Sequence, residues 1–281
     1  NSHFLKILLF FFNINFNYYN MNFFIKLFVL VFITVSNLNA EVKIHNINEY
    51  KITQKKMILT EIVKGLNYPW GLTFIDDKNL VVTEKNGELI KINIISKKIT
   101  KIKHQIKSIR FNGSGQGGLL DVLYNNGYLY FTYSHEFEST NDKKNYSTVI
   151  ARGKLVDDEI KNFEKLLVGR PKLSRNIHWG ARMVIHKNHL YASFGERGLG
   201  MIAQDPSKHP GSIIRINIDG SIPEDNPSKI NKNKWLPEIF LIGVRNPQGM
   251  AISPKDKKVY FSQHGPRGGD NIGIVKKEGI M

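Results

Sequence analysis

The sequence predicts an all-β fold, and three observations lead to that prediction. Short segments rich in β-branched and aromatic residues alternate between apolar and polar positions throughout the chain after residue 40. Turns rich in Asn, Asp and Gly separate them, such as Asn86-Gly87 and Asn126-Gly127. No window shows sustained helical periodicity with capping residues at its ends. We therefore expect antiparallel sheets joined by tight turns.

One pattern recurs four times along the chain, and each copy predicts a small sheet. A glycine-led apolar strand is followed by a polar turn, a Tyr/Val-rich strand and a third alternating strand. The copies begin at Gly71, Gly118, Gly180 and Gly249. Such a unit is typical of one blade of a β-propeller. We expect long loops at 134–147 and 197–211, where propellers usually build their sites, and an additional strand at 58–66.

The overall composition limits the chemistry that is available. The chain of 281 residues has no cysteine, which excludes disulfides, thiolate metal sites and a cysteine nucleophile. Its formal charge of +16 comes from 40 Lys and Arg against 24 Asp and Glu. The lysines occur singly or in pairs, without a basic helix or a basic-aromatic module, so we interpret them as solvating charge. We expect no nucleic-acid partner.

Residues 21–40 are typical of a secretory signal. Lys26 precedes a short apolar run at 27–35, and Ala40 occupies the position of a small residue before a cleavage point. The apolar run is shorter than a comfortable membrane span. The sequence therefore predicts a periplasmic or secreted protein.

The predicted domain is the propeller at 41–281. Residues 1–20 begin without Met and are rich in Asn and Phe, so we interpret them as upstream read-through or disordered sequence outside the folded domain. The second apolar run at 4–12 leaves open an uncleaved membrane anchor, which would be the only expected membrane contact.

Polar side chains stand beside glycines at equivalent positions, just before the first strand of a blade. Gln116 precedes blade two, His178 precedes blade three, and Arg245 with Asn246 precedes blade four. An isolated Gln or His is most often structural, but equivalent positions in successive blades converge on the central axis. We therefore expect these side chains to meet, with the Glu196 carboxylate orienting the imidazole of His178.

Several longer segments resemble one protein family. The sequence is similar to the soluble pyrroloquinoline quinone (PQQ)-dependent aldose dehydrogenases, the glucose/sorbosone dehydrogenase family, over about residues 55–275. The segments that carry the resemblance, in the order that the family shows, are GQGGLLDV, HWGAR, FGERG, AQDPSKHPGSIIRINIDGSIPEDNP, GVRNPQGMA and HGPRGGD. Their length and order make chance agreement a poor explanation.

The resemblance implies an activity and assigns roles to residues. It implies oxidation of an aldose at the anomeric carbon to the lactone, with hydride transfer to PQQ. His178 matches the family's general base, and Glu196 matches the carboxylate that orients it. Arg245 matches the arginine that polarises the quinone carbonyl, where developing negative charge needs a cation.

The resemblance also implies where the cofactors bind. Gln116, Asn246 and Gln248 match contacts to the cofactor or sugar, together with Arg245. The backbone carbonyls of Gly265 and Pro266 match the ligands of a Ca²⁺ ion that also chelates PQQ. A hard cation held by carbonyl oxygens needs no carboxylate cluster. The sugar, the electron acceptor and the oligomeric state are not specified.

Some features depart from the family pattern. The family has six blades, and the four found here predict roughly the N-terminal two thirds of such a propeller. Asp270, Asn271, Ile272 and Gly273 stand where the family usually has Asp-Glu-Ile-Asn, and Val244 stands where it often has His. The family's basic residues that grip the PQQ carboxylates lie in later blades, and their loss would weaken PQQ binding.

Two alternatives stay open from the sequence. A secreted, non-catalytic propeller that binds a glycan or a protein would have the same blade pattern. A Ca²⁺-dependent lactonase propeller would place carboxylates on a central metal, whereas the blade starts here present Gln, His and Arg.

Overall fold

The computed structural model describes residues 60–140, 143–231, 235–277 and 279–280. Within them nearly all regular structure is β, and four sheets follow one another along the chain, as predicted. None of the described helices is long and apolar enough to cross a membrane. The interpretations placed on residues 1–20 and 21–40 lie outside the described residues.

The first two blades are four-stranded antiparallel sheets in which neighbouring strands are consecutive. The strands of blade one are β1 (Pro69–Phe74), β2 (Asn79–Glu84), β3 (Leu89–Asn93) and β4 (Ile99–Lys101). The strands of blade two are β5 (Leu119–Asn125), β6 (Tyr128–Thr140), β7 (Lys143–Val156) and β8 (Glu159–Val168).

Blades three and four continue the pattern. The strands of blade three are β9 (Gly180–His186), β10 (His189–Phe194), β11 (Ser212–Asn217) and β12 (Ile239–Ile242). Those of blade four are β13 (Pro247–Ile252), β14 (Val259–Gln263) and β15 (Asn271–Ile274), and β16 (Gly279–Ile280) pairs in parallel with β12. The helical elements are the short α1 (Pro227–Asn231) and 3₁₀ turns at Gly200–Gln204 and Pro266–Gly268.

Two-residue turns with left-handed backbone join several of these strands. Asn126-Gly127 has φ values of 48° and 80°, and Lys187-Asn188 has φ values of 49° and 62°. Positive φ at both central residues matches the twist of the flanking strands, and Asn and Gly adopt it at low cost. The Asn-Gly signal in the sequence therefore marks a real hairpin.

Two expectations about strand limits are wrong. The segment 134–147, predicted as a loop, is mostly a β-ribbon formed by the ends of β6 and β7. Period-2 spacing continues there and places Tyr133, His135 and Phe137 on one face, with successive ring centroids 5.8 Å and 4.4 Å apart. The predicted strand at 58–66 carries no β pairing over residues 60–66. Its Val63 packs against blade one instead.

Apolar side chains fill the spaces between successive blades. Phe131 of blade two packs in a cluster with Val81 of blade one, and Tyr130 packs in another cluster with Leu190 of blade three. A third cluster joins blades three and four around Phe261. The innermost strands β1, β5, β9 and β13 contact one another in that order, so the starts of the blades face a common axis.

Buried hydroxyl groups link each innermost strand to the next. In β6, the Thr132 hydroxyl accepts the Asp121 N–H at 3.1 Å and donates to the Ala181 carbonyl of blade three at 2.6 Å. Thr83 and Ser193 occupy the equivalent positions of blades one and three, and each donates to a carbonyl of the following blade. Each hydroxyl lies opposite an irregularity in the innermost strand. The blades are therefore joined by polar links as well as by apolar packing.

We expect Thr132→Val to lower the free energy of unfolding by about 1–3 kcal/mol, because it leaves a buried N–H and a buried carbonyl without partners. Urea denaturation measures this loss. Thr132→Ser is the matched control, since it keeps the hydroxyl and removes one methyl group. A valine variant as stable as the serine variant would show that the hydroxyl link contributes little.

Candidate active site

The three side chains predicted to converge do meet at one end of the innermost strands. The His178 N–H donates to Gln116 Oε1 at 2.6 Å, and Arg245 Nη2 lies 3.5 Å from His178 Nε2. These contacts join blades two, three and four although the residues are far apart in sequence. The prediction that His178 and Arg245 are neighbours is confirmed.

Glu196 holds the imidazole of His178 in one orientation. His178 Nδ1 lies 2.9 Å from Glu196 Oε1, and the glutamate is only 4% exposed. Oε2 of Glu196 accepts the backbone N–H groups of Gly198 and Leu199. A carboxylate fixed in this way accepts a hydrogen bond from Nδ1–H. The Nε2 lone pair then points away from Glu196, toward Arg245 Nη2 at 3.5 Å, and it is the atom that can accept a proton.

Arg245 lies between the imidazole and the turn of blade four. Its Nε is 3.7 Å from Glu196 Oε1, and its Nη1 donates to the His264 carbonyl at 3.1 Å. The backbone N–H of Arg245 donates to the buried Gln263 side chain at 2.7 Å. The guanidinium is thus positioned next to the Nε2 side of His178 and remains partly exposed.

Arg197, which the sequence analysis did not single out, supports the segment that carries His178. His178 has a left-handed φ of 51°, a conformation that a non-glycine residue adopts only when its surroundings hold it there. The buried Arg197 guanidinium donates to the carbonyls of Ile177 and Arg175 and lies 3.4 Å from the Trp179 ring centroid. Burial lowers the pKa of Arg197 to about 9.

Asn246 and Gln248 have defined contacts at the start of blade four. Asn246 Oδ1 accepts the Gly180 N–H at 3.0 Å, so this buried amide ties blade four to blade three. Gln248 Oε1 lies 3.1 Å from His264 Nε2 and lines a cleft of about 420 Å³ with that histidine and Asp270. The cleft is large enough for part of a small-molecule ligand. The cofactor contacts assigned to Asn246 and Gln248 stay predictions.

The predicted calcium ligands lie in a tight turn beside Arg245. The Gly265 N–H donates to Asp270 Oδ1 at 2.9 Å, and the Pro266 carbonyl accepts the Gly269 N–H at 3.1 Å. A Cβ atom at Gly265 would lie 1.9 Å from the Gly269 carbonyl oxygen, so this turn requires glycine. Among the described residues, no three His, Cys, Asp or Glu side chains form a metal-binding cluster.

An ion pair between the buried Asp121 carboxylate and the half-buried Arg182 guanidinium was also missed from the sequence. Arg182 Nη1 donates to Asp121 Oδ1 at 2.7 Å, and its Nε donates to the Gln248 carbonyl at 2.9 Å. The guanidinium also stacks on Trp70, with 4.4 Å to the ring centroid. Burial raises the pKa of Asp121 to about 6, against the opposing charge of Arg182. The pair connects all four blades below the candidate site.

Comparison with known proteins agrees with this geometry. The family model described as Glucose / Sorbosone dehydrogenase matches residues 66–279. The chain belongs to the glucose/sorbosone dehydrogenase family. The matched region includes every residue assigned to the candidate site, so the family resemblance is confirmed.

Two curated members of the family show how much of such a protein this chain represents. It is 34% identical to aldose sugar dehydrogenase YliI of Escherichia coli K12 over 221 residues, which cover 75% of this chain and 57% of that protein. It is 30% identical to quinoprotein glucose dehydrogenase B of Acinetobacter calcoaceticus over 254 residues, covering 80% and 51%. The chain thus spans little more than half the length of these relatives.

Solved structures of the same family share the fold. A glucose dehydrogenase structure superposes with a TM-score of 0.71 at 29% identity, covering 78% of this chain and 64% of that one. The apo form of the soluble aldose sugar dehydrogenase from Escherichia coli gives 0.68 at 34% identity, covering 75% and 61%. The prediction of a propeller of the PQQ sugar dehydrogenase type, with four blades present, is confirmed.

Proposed function

We propose that the protein oxidises an aldose at its anomeric carbon to the corresponding lactone, with PQQ and Ca²⁺ as cofactors. The observation that carries this proposal is the His178 imidazole, with Nδ1 held by Glu196 and Nε2 directed toward Arg245. A ring nitrogen that can take a proton, placed beside a fixed cation, suits removal of a proton from a hydroxyl whose carbon loses hydride.

The proposed reaction divides between the side chains of this chain and the cofactor. His178 Nε2 takes the proton of the anomeric hydroxyl, and Glu196 stabilises the imidazolium that forms. As the C1–H bond breaks, the sugar C1–O bond becomes the lactone carbonyl. PQQ, when bound, supplies a quinone that accepts the hydride. Arg245 stabilises the negative charge that develops on the acceptor side.

The residues present fit these cofactors. Arg245 supplies a partly exposed cation for an anionic quinone, and the side chains of Gln116, Asn246 and Gln248 supply amide groups nearby. The carbonyls of Gly265 and Pro266 would hold Ca²⁺ in a turn that only glycine allows, as a hard cation prefers oxygen ligands. The Asp270 carboxylate, which accepts a hydrogen bond from Gly265, stands beside that turn.

The proposed localisation is the periplasm or the outside of the cell. The signal-like segment at 21–40 supports this export.

Two alternative functions were left open by the sequence. The names of the relatives do not favour a non-catalytic glycan- or protein-binding propeller. A lactonase with axial carboxylates on a metal finds no support, since no such cluster occurs in the part of the chain that the structure describes.

A titration and an assay test the proposal. In a form of the protein that carries the six blades of the family, we expect PQQ to bind in the presence of Ca²⁺, as followed by isothermal titration, and the loaded protein to reduce a dye when an aldose is added. In Gly265→Ala the added methyl group collides with Gly269 and disturbs the turn that would hold Ca²⁺. We therefore expect added Ca²⁺ to increase PQQ binding less in this variant than in the unmodified protein. Gly127→Ala is the control for general destabilisation, since it strains a positive-φ glycine in the turn between β5 and β6, at the other end of β5 from Gln116.

The outcomes separate the proposal from its rival. If an aldose or oligosaccharide binds but neither PQQ binding nor dye reduction is detected, the protein acts as a glycan-binding propeller and the dehydrogenase proposal is wrong. If PQQ binds equally well to the protein and to Gly265→Ala at every Ca²⁺ concentration, the metal assignment is wrong.

A further inference from the structure

A second cavity lies at the opposite end of the innermost strands from His178. It has a volume of about 360 Å³ and opens between blades three and four. Its walls include residues of the turn that follows β9 and of the turn that precedes β14, whereas the candidate active site lies before β9 and before β13. Because β9 has 7 residues, the two sites are about 20 Å apart.

Basic side chains surround this cavity from both blades. Lys187 comes from blade three, and Lys257 and Lys258 come from the turn of blade four. The carboxylates nearby are already paired: Asp225 with Arg215, and Asp256 with Lys258 at 3.4 Å. These pairs leave the charges of Lys187 and Lys257, so the cavity carries excess positive charge, which attracts anions.

Arg215 adds a buried cation with an unused donor to the cavity wall. Its side chain is 6% exposed and is paired with Asp225, and its Cζ lies 4.7 Å from the centroid of the Phe240 ring. Within the described residues, its Nε–H makes no hydrogen bond. The Tyr191 hydroxyl also faces this guanidinium, whose charge opposes the rise in the pKa of Tyr191 caused by burial. A buried unpaired donor costs free energy unless a ligand or water satisfies it.

We propose that this cavity binds a phosphate group. Lysines from two blades line the cavity together with Arg215, and this donor set suits a tetrahedral dianion. Phe240 and Tyr191 add an aromatic wall, and the cavity is larger than one phosphate needs. It therefore accommodates a small phosphate ester, such as a sugar phosphate, as well as inorganic phosphate. The site is independent of the dehydrogenase proposal.

Isothermal titration of the purified protein with three probes tests this assignment. Inorganic phosphate and glucose 6-phosphate should both bind, and glucose should not bind at this cavity. The double substitution Lys257→Gln/Lys258→Gln should weaken binding of both phosphates by about tenfold or more, on the scale of charge-assisted hydrogen bonds. Tighter binding of glucose 6-phosphate than of inorganic phosphate would identify a phosphate ester as the preferred ligand.

A second lysine pair provides the matched control. Lys97→Gln/Lys98→Gln removes the same charge from the exposed turn between β3 and β4 of blade one. We expect it to leave phosphate binding within about twofold, with the unfolding free energy of both double variants unchanged. Equal weakening by the two double substitutions would overturn the proposal, because it would show a general effect of net charge. Phosphate binding that survives the Lys257/Lys258 change would overturn it as well.

Discussion

His178→Asn should lower the rate of the proposed aldose oxidation, followed by dye reduction in the six-bladed form, by about 10²- to 10⁴-fold, the usual contribution of a general base. The side chain is held for this role: Nδ1 contacts the buried Glu196 at 2.9 Å, and Nε2 is left to accept a proton. Asparagine can keep a hydrogen bond to Glu196, but its amide nitrogen has no comparable basicity. The measurement is the initial rate at saturating sugar and PQQ, on a protein whose PQQ binding is titrated in parallel.

His104→Gln is the matched control for this experiment. His104 is a partly buried histidine that follows β4. Its Nε2 lies 2.8 Å from the Gly87 carbonyl, and it makes no hydrogen bond to Gln116, His178, Glu196 or Arg245. We expect its replacement to leave turnover near that of the unmodified protein. If His178→Asn binds PQQ and retains turnover within a few-fold, another group removes the proton and the assignment is wrong.

The convergence of Gln116, His178 and Arg245 could be predicted because the fold is a repeat. Each residue stands just before the first strand of a blade, and the blades share one axis. Residues at this position of successive blades are therefore close in space although they are far apart in sequence. Glu196 could be placed for a related reason, since it follows the second strand of the blade that His178 begins. The distances of 2.6 Å from the His178 N–H to Gln116 Oε1 and of 2.9 Å from His178 Nδ1 to Glu196 Oε1 agree with both expectations.

The supporting residues could not be found in this way. Arg197 and Arg182 belong to the segments FGERG and HWGAR, but their roles depend on stacking against Trp179 and Trp70 and on the burial of Arg197 and of Asp121, the partner of Arg182. Burial of a charge is a property of the folded structure, and no local sequence pattern predicts it. Asn246 likewise has a structural contact, to the Gly180 N–H, that spacing alone does not show.

In the fold, too, the sequence predicted the features that have a local pattern and missed those that have none. The first three strands of each blade were found, but the fourth strands β4, β8 and β12 were missed. β4 has 3 residues and β12 has 4, too few for a periodic signal, and β8 has 10 residues but is mostly exposed or half-buried, without a strict alternation. The ribbon of β6 and β7 was missed because its polar residues resemble a loop. The hydroxyl links were visible in principle, since Thr83, Thr132 and Ser193 recur at one position of the repeat.

Arg245→Gln should lower turnover by about 10²- to 10³-fold, the loss typical when one donor to a developing negative charge is removed. Arg245 makes two directed contacts, from Nη1 to the His264 carbonyl and from Nη2 toward His178 Nε2. Glutamine removes the charge and cannot make both contacts. Lysine restores the charge as a single ammonium group, so Arg245→Lys should recover only part of the rate.

Arg152→Gln provides the control, because Arg152 is also partly buried and paired with a carboxylate, Glu164, at 2.6 Å in blade two. We expect this variant to keep its turnover, whatever small change its unfolding free energy shows. Measuring rates over a range of PQQ concentrations separates binding from catalysis. A rate loss in Arg245→Gln that disappears at saturating PQQ would limit Arg245 to cofactor binding. A loss that persists there places its charge beside the reacting atoms, next to the base that removes the proton.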